Sequence, residues 1–449
     1  MTFIADKQTL DDLNLLGKYK PHSVYSLFNK VHTAGGERLL EAMFQQPLAD
    51  ETEINLRSAA FQYFQQKALT FPFNREQLGV MEDYLAGGGR GNVLSAATGV
   101  LRKKLLGDLV RDEAYGLLHN RLLMVIGVLN TLADFLVKFE EQGGEGPYRK
   151  EAEDPCREQV RRLSDILRGS RLAWLREKKG VTALPLAKVI RYDHLFRGDL
   201  LEEMEQITQG IYQLDVQIAV SQVASERGFA YARALPRDKH VLSAAALSHP
   251  GIDKAVANPI TLHKDSNMLF LTGANMAGKS TFMKAFGIAV YMAHMGFPIA
   301  AKEMVFSVRD GIYSSINVPD NLSQGYSHFY AEVLRVKKVA EEVSAGKDLV
   351  VIFDELFKGT NVKDAYDATL AVTAAFAEYR NCFFIISTHI IEVGEALQQT
   401  SDNLQFVFLP TVMEGMTPRY TYKMEKGITA DRHGMLIIEN EGILEIIES

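Results

Sequence analysis

One stretch constrains this chain more than any other: an apolar run that breaks into a glycine-bounded loop and then into a helix start. Met268-Leu-Phe-Leu-Thr272 has the composition of a buried strand. Gly273-Ala-Asn-Met-Ala-Gly278 follows as a tight loop, and Lys279-Ser-Thr-Phe282 opens a helix. Strand, loop and helix in that order aim backbone N–H groups and the positive end of a helix at one point. The glycines permit the turn that this convergence needs. The ligand that fits is a phosphate chain. Lys279 has the length to reach the β- and γ-phosphates of a nucleoside triphosphate, and a Ser280 hydroxyl suits Mg²⁺. Gly273, Ala274, Asn275, Met276, Ala277, Gly278, Lys279, Ser280 and Thr281 are therefore the candidate ATP-binding residues.

Two further apolar runs end in chemistry. Leu349-Val-Val-Ile-Phe353 delivers Asp354 and Glu355 at its carboxyl end, where Asp354 is placed to hold Mg²⁺ and Glu355 to orient an attacking water. Cys382-Phe-Phe-Ile-Ile-Ser387 ends in Thr388-His389, so His389 points to the ligand edge of an open sheet and can sense a γ-phosphate. Lys279, Glu355 and His389 are the catalytic candidates, with Ser280 and Asp354 as metal ligands and ATP, ADP and Mg²⁺ as the implied cofactors.

Helical patterns separate these runs, and such alternation predicts a largely parallel sheet with crossover helices. The first half differs. Apolar residues recur at helical spacing, as in Leu101, Leu105, Leu106, Leu109 and in Ile207, Ile211, Leu214, Ile218. Breaks are expected at Glu140–Pro155, Lys178–Pro185 and Ser248–Pro259. The expected architecture is an α/β P-loop ATPase domain of ABC type at the C-terminus, preceded by a mainly α-helical core and lever. The corresponding divisions are 1–100, 101–247 and 248–449. Cys156 and Cys382 lack metal-ligand spacing and read as reduced thiols. The longest apolar run, Leu122–Leu129, is short for a bilayer, and no leader pattern opens the chain. A soluble, cytoplasmic protein without a membrane partner is expected.

Taken together, the motifs resemble the ATPase domain of MutS, the DNA mismatch-repair ATPases. Thr272-Gly-Ala-Asn-Met-Ala-Gly-Lys-Ser-Thr281 is similar to the family's P-loop, and its Asn-Met pair is far more specific than a generic one. Asp354-Glu-Leu-Phe-Lys-Gly-Thr360 and Ser387-Thr-His389 are similar to its next two motifs. Leu322-Ser-Gln-Gly325 and Gly325-Tyr-Ser327-His-Phe329 resemble the signature segment. The resemblance implies a homodimer through the ATPase domains, in which Gly325 and Ser327 close over the γ-phosphate of the partner. It also implies a role for Asn258 in the nucleotide site, where Ala255 replaces an aromatic residue that often stacks on adenine. Upstream, Ser26–Leu40 and Leu214–Ala224 resemble the start of the core domain and the helix returning from the lever. The mismatch-reading and connector domains have no counterpart in this sequence, and the clamp is absent or reduced. The implied function is an ATPase that couples ATP binding and hydrolysis to conformational change on DNA, in repair or recombination. Two alternatives stay open: an ABC-type ATPase acting on protein partners, and a non-catalytic nucleotide-binding module. The intact Lys279, Asp354, Glu355 and His389 weigh against the second.

A separate signal lies in charge. Residues 157–197 carry eleven Arg and Lys against four Asp and Glu, a net +7 in a chain whose total is −7. This stretch also holds Trp174, the only tryptophan. Its place matches the lever and clamp region, and Arg161, Arg162, Arg168, Arg171, Lys178 and Lys179 are candidates for contacts to nucleic-acid phosphates. A solvated helix face is the plainer reading of the same charges.

Overall fold

The computed structural model describes residues 3–17, 22–87, 98, 100, 102, 114–142, 156–316, 328–414, 417–429 and 446–447. The contact pattern divides the chain into two compact units. One comprises Met1–Phe28, Met43–Ser58 and Val223–Ser449; the other comprises Asn29–Ala42 and Ala59–Gln222. The units interleave in sequence, a division that no single cut along the chain reproduces.

Among the described residues the α/β unit is built on a seven-stranded sheet. Across the sheet the strands run Ile4–Ala5, Gly311–Ser315, Leu349–Phe353, Phe383–Ser387, Met268–Gly273, Leu404–Leu409 and Glu425–Lys426. All neighbours pair in parallel except the last two, which are antiparallel. The three strands Met268–Gly273, Leu349–Phe353 and Phe383–Ser387 are buried at every position. That is why they read as continuous apolar runs and not as alternating ones. Helices Lys279–His294, His328–Ser344, Val362–Ala377 and Ile391–Thr400 lie between strands in sequence. Phe270, Val351, Phe353, Phe376, Phe384 and Ile386 form part of one apolar core here.

A second, four-stranded sheet in this unit has the order Arg233–Leu235, Glu303–Ser307, Val241–Leu247, Asn258–His263. It begins upstream of Ser248, so β-structure starts earlier than the composition change suggests. Val241-Leu-Ser-Ala-Ala-Ala-Leu247 is poor in β-branched residues, and its register slips between Ala244 and Leu247, where Ala246 has φ +53°. A bulged, alanine-rich strand carries little local signal.

The first residues of the chain clip two elements of the same unit together. Asp6 caps the short helix Lys7–Asp12 by accepting from Thr9 N at 3.1 Å. It also accepts from Arg335 and Lys338 of the His328–Ser344 helix. Asp12 accepts from Ser314 Oγ at 2.7 Å and from Ile316 N at 2.9 Å, and Thr9 Oγ1 accepts from Ser314 N at 3.0 Å.

The helical unit contains Arg75–Ala86, Ala114–Gln142, Arg157–Arg168 and Leu186–His194, together with the parts of three longer helices that fall within it. Asn74 and Gln77 form a reciprocal capping box at the start of the first of these. Asp215 is fully buried and accepts from His32 N, Thr33 N and Thr33 Oγ1, fixing the residues that precede the Ala34–Gln45 helix. Ile207, Ile211, Leu214 and Ile218 are all buried along Leu201–Arg227, as their spacing predicts. Leu101, Leu105, Leu106 and Leu109 lie outside the described residues, as does most of the predicted break at 140–155.

Leu122–Leu129 belongs to a much longer apolar helix than the run itself suggests. An 18-residue window within Ala114–Glu141 has a mean hydropathy of 1.9, and the helix is long enough to cross a bilayer by length and composition. Its Leu122, Val125, Leu129, Leu132 and Leu136 are nevertheless buried in the core of the helical unit. The apolar run is short because the helix spreads its apolar residues around scattered Arg121, Asp134 and Lys138.

Candidate nucleotide site

The carboxyl ends of three adjacent parallel strands bring the predicted residues together. The Phe383–Ser387 strand lies between Met268–Gly273 and Leu349–Phe353. Ser280 Oγ donates to Asp354 Oδ2 at 2.5 Å, and Ser387 Oγ donates to Asp354 Oδ1 at 2.5 Å. Ser387 Oγ in turn accepts from Glu355 N at 3.2 Å, and Ser387 O accepts the same N–H at 3.1 Å. His389 Nε2 bonds Glu355 Oε1 at 2.5 Å. Ser387 is thus a hub of the site, a role that its place in a Ser-Thr-His string does not signal.

The P-loop adopts the backbone that its glycines allow. Gly273 has φ +144° and Gly278 φ +103°, and Met276 takes φ +69° with its side chain largely exposed. A Cβ on Gly278 would stand 3.0 Å from the Tyr422 ring, so the close approach of that ring needs a glycine. Lys279 is buried and its Nζ donates to Gly273 O at 2.9 Å and Ala274 O at 3.2 Å. Burial pushes its ammonium down from the usual lysine value, while Glu355 and Asp354 oppose that shift. A partly desolvated ammonium folded on its own loop is ready to exchange two carbonyls for phosphate oxygens.

Glu355 has φ +56°, which turns its side chain back toward the strand ends. The hydrogen bond from His389 holds its carboxyl down to about 2 against the effect of burial, with help from the His389, Lys358 and Lys279 charges. Such a carboxylate is a weak proton acceptor but a firm hydrogen-bond acceptor. It suits alignment of a water better than early removal of its proton.

Mg²⁺ fits the donor set. A hydroxyl and a carboxylate oxygen in direct contact, both hard oxygens, leave the remaining positions to phosphate and water. No cluster of three or more His, Cys, Asp or Glu side chains suited to a metal occurs among the described residues.

Beside the P-loop is a cleft of about 610 Å³ lined by Ser248, His249, Val256, Asn258, Met276 and Tyr422, among others. That volume lies within the range of small-molecule and cofactor pockets. Asn258 is buried, and its amide is spent on the chain that carries Tyr422. Its Nδ2 donates to Tyr422 O at 2.9 Å and its Oδ1 accepts from Met424 N at 2.8 Å. Its part in the cleft is to fix Tyr422. Ala255 lines the same cleft, so Tyr422 is an aromatic surface where the motif pattern lacks one. No local motif in the sequence marks Tyr422.

Gly325 and Ser327 lie outside the described residues. Of the basic candidates, Arg161 pairs with Asp165, Arg162 with Glu158, Arg168 with Glu140 and Lys179 with Asp134. Arg171 donates to Asp199 O at 3.1 Å.

A strand–loop–helix with an acidic strand end two strands away defines a P-loop ATPase-type domain. Residues 269–448 match the family model of MutS domain V. The chain is 27% identical over 278 residues to the DNA mismatch repair protein MutS of Geobacillus sp. (strain WCH70), an alignment covering 59% of this chain and 32% of that protein. The chain is thus similar to MutS in this domain, and it spans about a third of the length of the curated relative it matches.

Proposed function

We propose that this chain is an ATPase that couples ATP binding and hydrolysis to conformational change on DNA, in DNA repair or recombination. The observation that carries the reading is the continuous Ser280–Asp354–Ser387–Glu355–His389 array at the end of the parallel sheet. Its pieces come from three separate sequence motifs, and their convergence has no structural purpose that a plain core would require.

In this reading Lys279 and the amides of residues 273–281 hold the triphosphate, and Tyr422 offers its ring to the base. Ser280 and Asp354 hold Mg²⁺, which neutralises charge on the phosphates. Glu355 aligns the attacking water, and His389 keeps that carboxylate ionised and oriented. Two ATPase domains pair across a two-fold axis, and Gly325 and Ser327 of one chain complete the site of the other. ATP then favours the closed pair over the open one, and that difference is what moves the helical arms.

Glu355→Gln tests the chemistry. Steady-state hydrolysis should fall by about 10²–10⁴-fold while ATP binding persists. Retention of full turnover would sink the assignment. A panel of homoduplex, mismatched, branched and single-stranded DNA tests the coupling: turnover that responds to none of them favours the protein-partner alternative.

A further inference from the structure

The basic segment of the helical unit separates into two sets. Arg161, Arg162, Arg168, Lys179 and Arg197 are each within ion-pair distance of a carboxylate. Among the described residues Arg176, Lys178, Lys188 and Arg191 have no such partner. These four belong to the 3₁₀ turn Ala173–Lys178 and the helix Leu186–His194. The same two elements carry a parallel aromatic stack. Trp174 lies on Tyr192 with ring centroids 3.6 Å apart and planes 2° from parallel. Lys188 Nζ stands 5.8 Å from the Tyr192 ring, and Phe196 backs Trp174 at 6.0 Å.

The stack has an inner and an outer member. Tyr192 and Phe196 are buried, at 1% and 0% exposure, whereas Trp174 is only partly covered. The indole is fixed in its plane by Nε1, which donates to Arg171 O at 2.9 Å. A rigid, backed, partly exposed indole beside uncompensated cations is how proteins hold unpaired bases: cations take the phosphates and the ring takes a base face. The acids close by are Glu177, which is exposed, and Asp193, which is occupied by Tyr84 and Arg197.

We infer that the Trp174–Tyr192 stack, with Arg176, Lys178, Lys188 and Arg191, is a site for single-stranded DNA, in which an unpaired base stacks on Trp174. This rests on the DNA reading above and narrows it, moving the contact away from Arg161, Arg162, Arg168 and Lys179. It gives the chain a preference for DNA with unpaired bases.

Because Trp174 is the sole tryptophan, its fluorescence reports this site alone. The full chain is titrated with a short oligothymidylate and with a blunt duplex of equal length, while an end label on the DNA follows binding independently. The site predicts strong quenching by the single strand and little by the duplex. Trp174→Leu should weaken single-strand binding roughly tenfold and leave duplex binding alone. Lys188→Glu with Arg191→Glu, both at the surface, should weaken it while the thermal transition stays in place. If both DNAs bind without quenching and Trp174→Leu changes neither affinity, the stacking site is overturned and DNA binding stands. If neither DNA binds, both readings fall.

Discussion

At the scale of single residues, the site is a set of paired hydrogen bonds in which each group fixes the next. His389 sets the state of Glu355, and the consequence is measurable in pH. With the wild-type carboxyl at about 2, Glu355 stays ionised from pH 4 upward and contributes no acid limb to turnover there. His389→Ala removes the main cause of that depression, so the carboxyl moves back toward its ordinary value. Turnover of the variant should then fall as pH drops below about 5. His389→Asn, which keeps a neutral donor, should show a smaller displacement. Identical pH profiles in all three proteins would contradict the coupling. Tyr422 offers a second residue-scale test. Tyr422→Ala should weaken ATP binding roughly tenfold, with little change in maximal turnover, because in the proposed reading the ring meets the base and not the phosphates. A fall in turnover at saturating ATP with unchanged affinity would place Tyr422 elsewhere in the mechanism.

At the scale of elements, the N-terminal clip has an outsized role for its length. Arg335 is 5% exposed as a side chain and is held by Asp6, Thr9 and Ser314. Asp6 feels burial, which raises its carboxyl, but the hydrogen bonds from Arg335 and Lys338 win and hold it well below the usual range. A depressed folded value means the stabilisation is complete above an ordinary carboxylate value near 4 and is lost as pH falls further. Asp6→Asn leaves a buried guanidinium without its counter-charge, and stability at pH 7 should drop by about 3 kcal/mol. Urea unfolding at pH 7 and again near pH 3 checks this, since the gap between wild type and variant must shrink on acidification. The clip also touches the site indirectly. Ser315 O accepts from Asp354 N at 2.9 Å, between the Ser314 and Ile316 groups that Asp12 grips. None of this was legible beforehand. Asp6, Asp12 and Arg335 are far apart in sequence, and a buried ion pair leaves no periodic trace.

At the scale of the whole chain, the sequence spoke clearly wherever backbone and function coincide. The strands at 268, 349 and 383 are apolar because they are buried on both faces, and each runs at its carboxyl end into a motif of the candidate site. Strand and motif are one signal there, so the α/β fold and the Lys279–Asp354–His389 group were readable together. Where function depends on tertiary placement, local pattern failed. Tyr422 is held beside the P-loop by the Asn258 clamp, a contact between distant residues, and the alanine-rich Val241–Leu247 strand has no propensity to announce it. The extent of the Ala114–Gln142 helix was hidden for the opposite reason, since charges dispersed around a long helix interrupt the run without interrupting the buried face. The two margins of the seven-stranded sheet show what this organisation protects against. Among the described residues each is closed by a strand of two residues, Ile4–Ala5 on one side and the charged Glu425-Lys426 on the other. Ile4 fits tightly, for a Cβ on Gly311 would come within 2.4 Å of its carbonyl oxygen. Without that narrow cover the Gly311–Ser315 strand would present bare donors and acceptors to any neighbouring chain. Ile4→Pro, which removes the N–H that donates to Asp310 O at 2.8 Å, should therefore loosen that cover and make the purified protein self-associate on storage, a change that light scattering would detect. The start of the chain then acts as a colloidal safeguard as much as a structural clip.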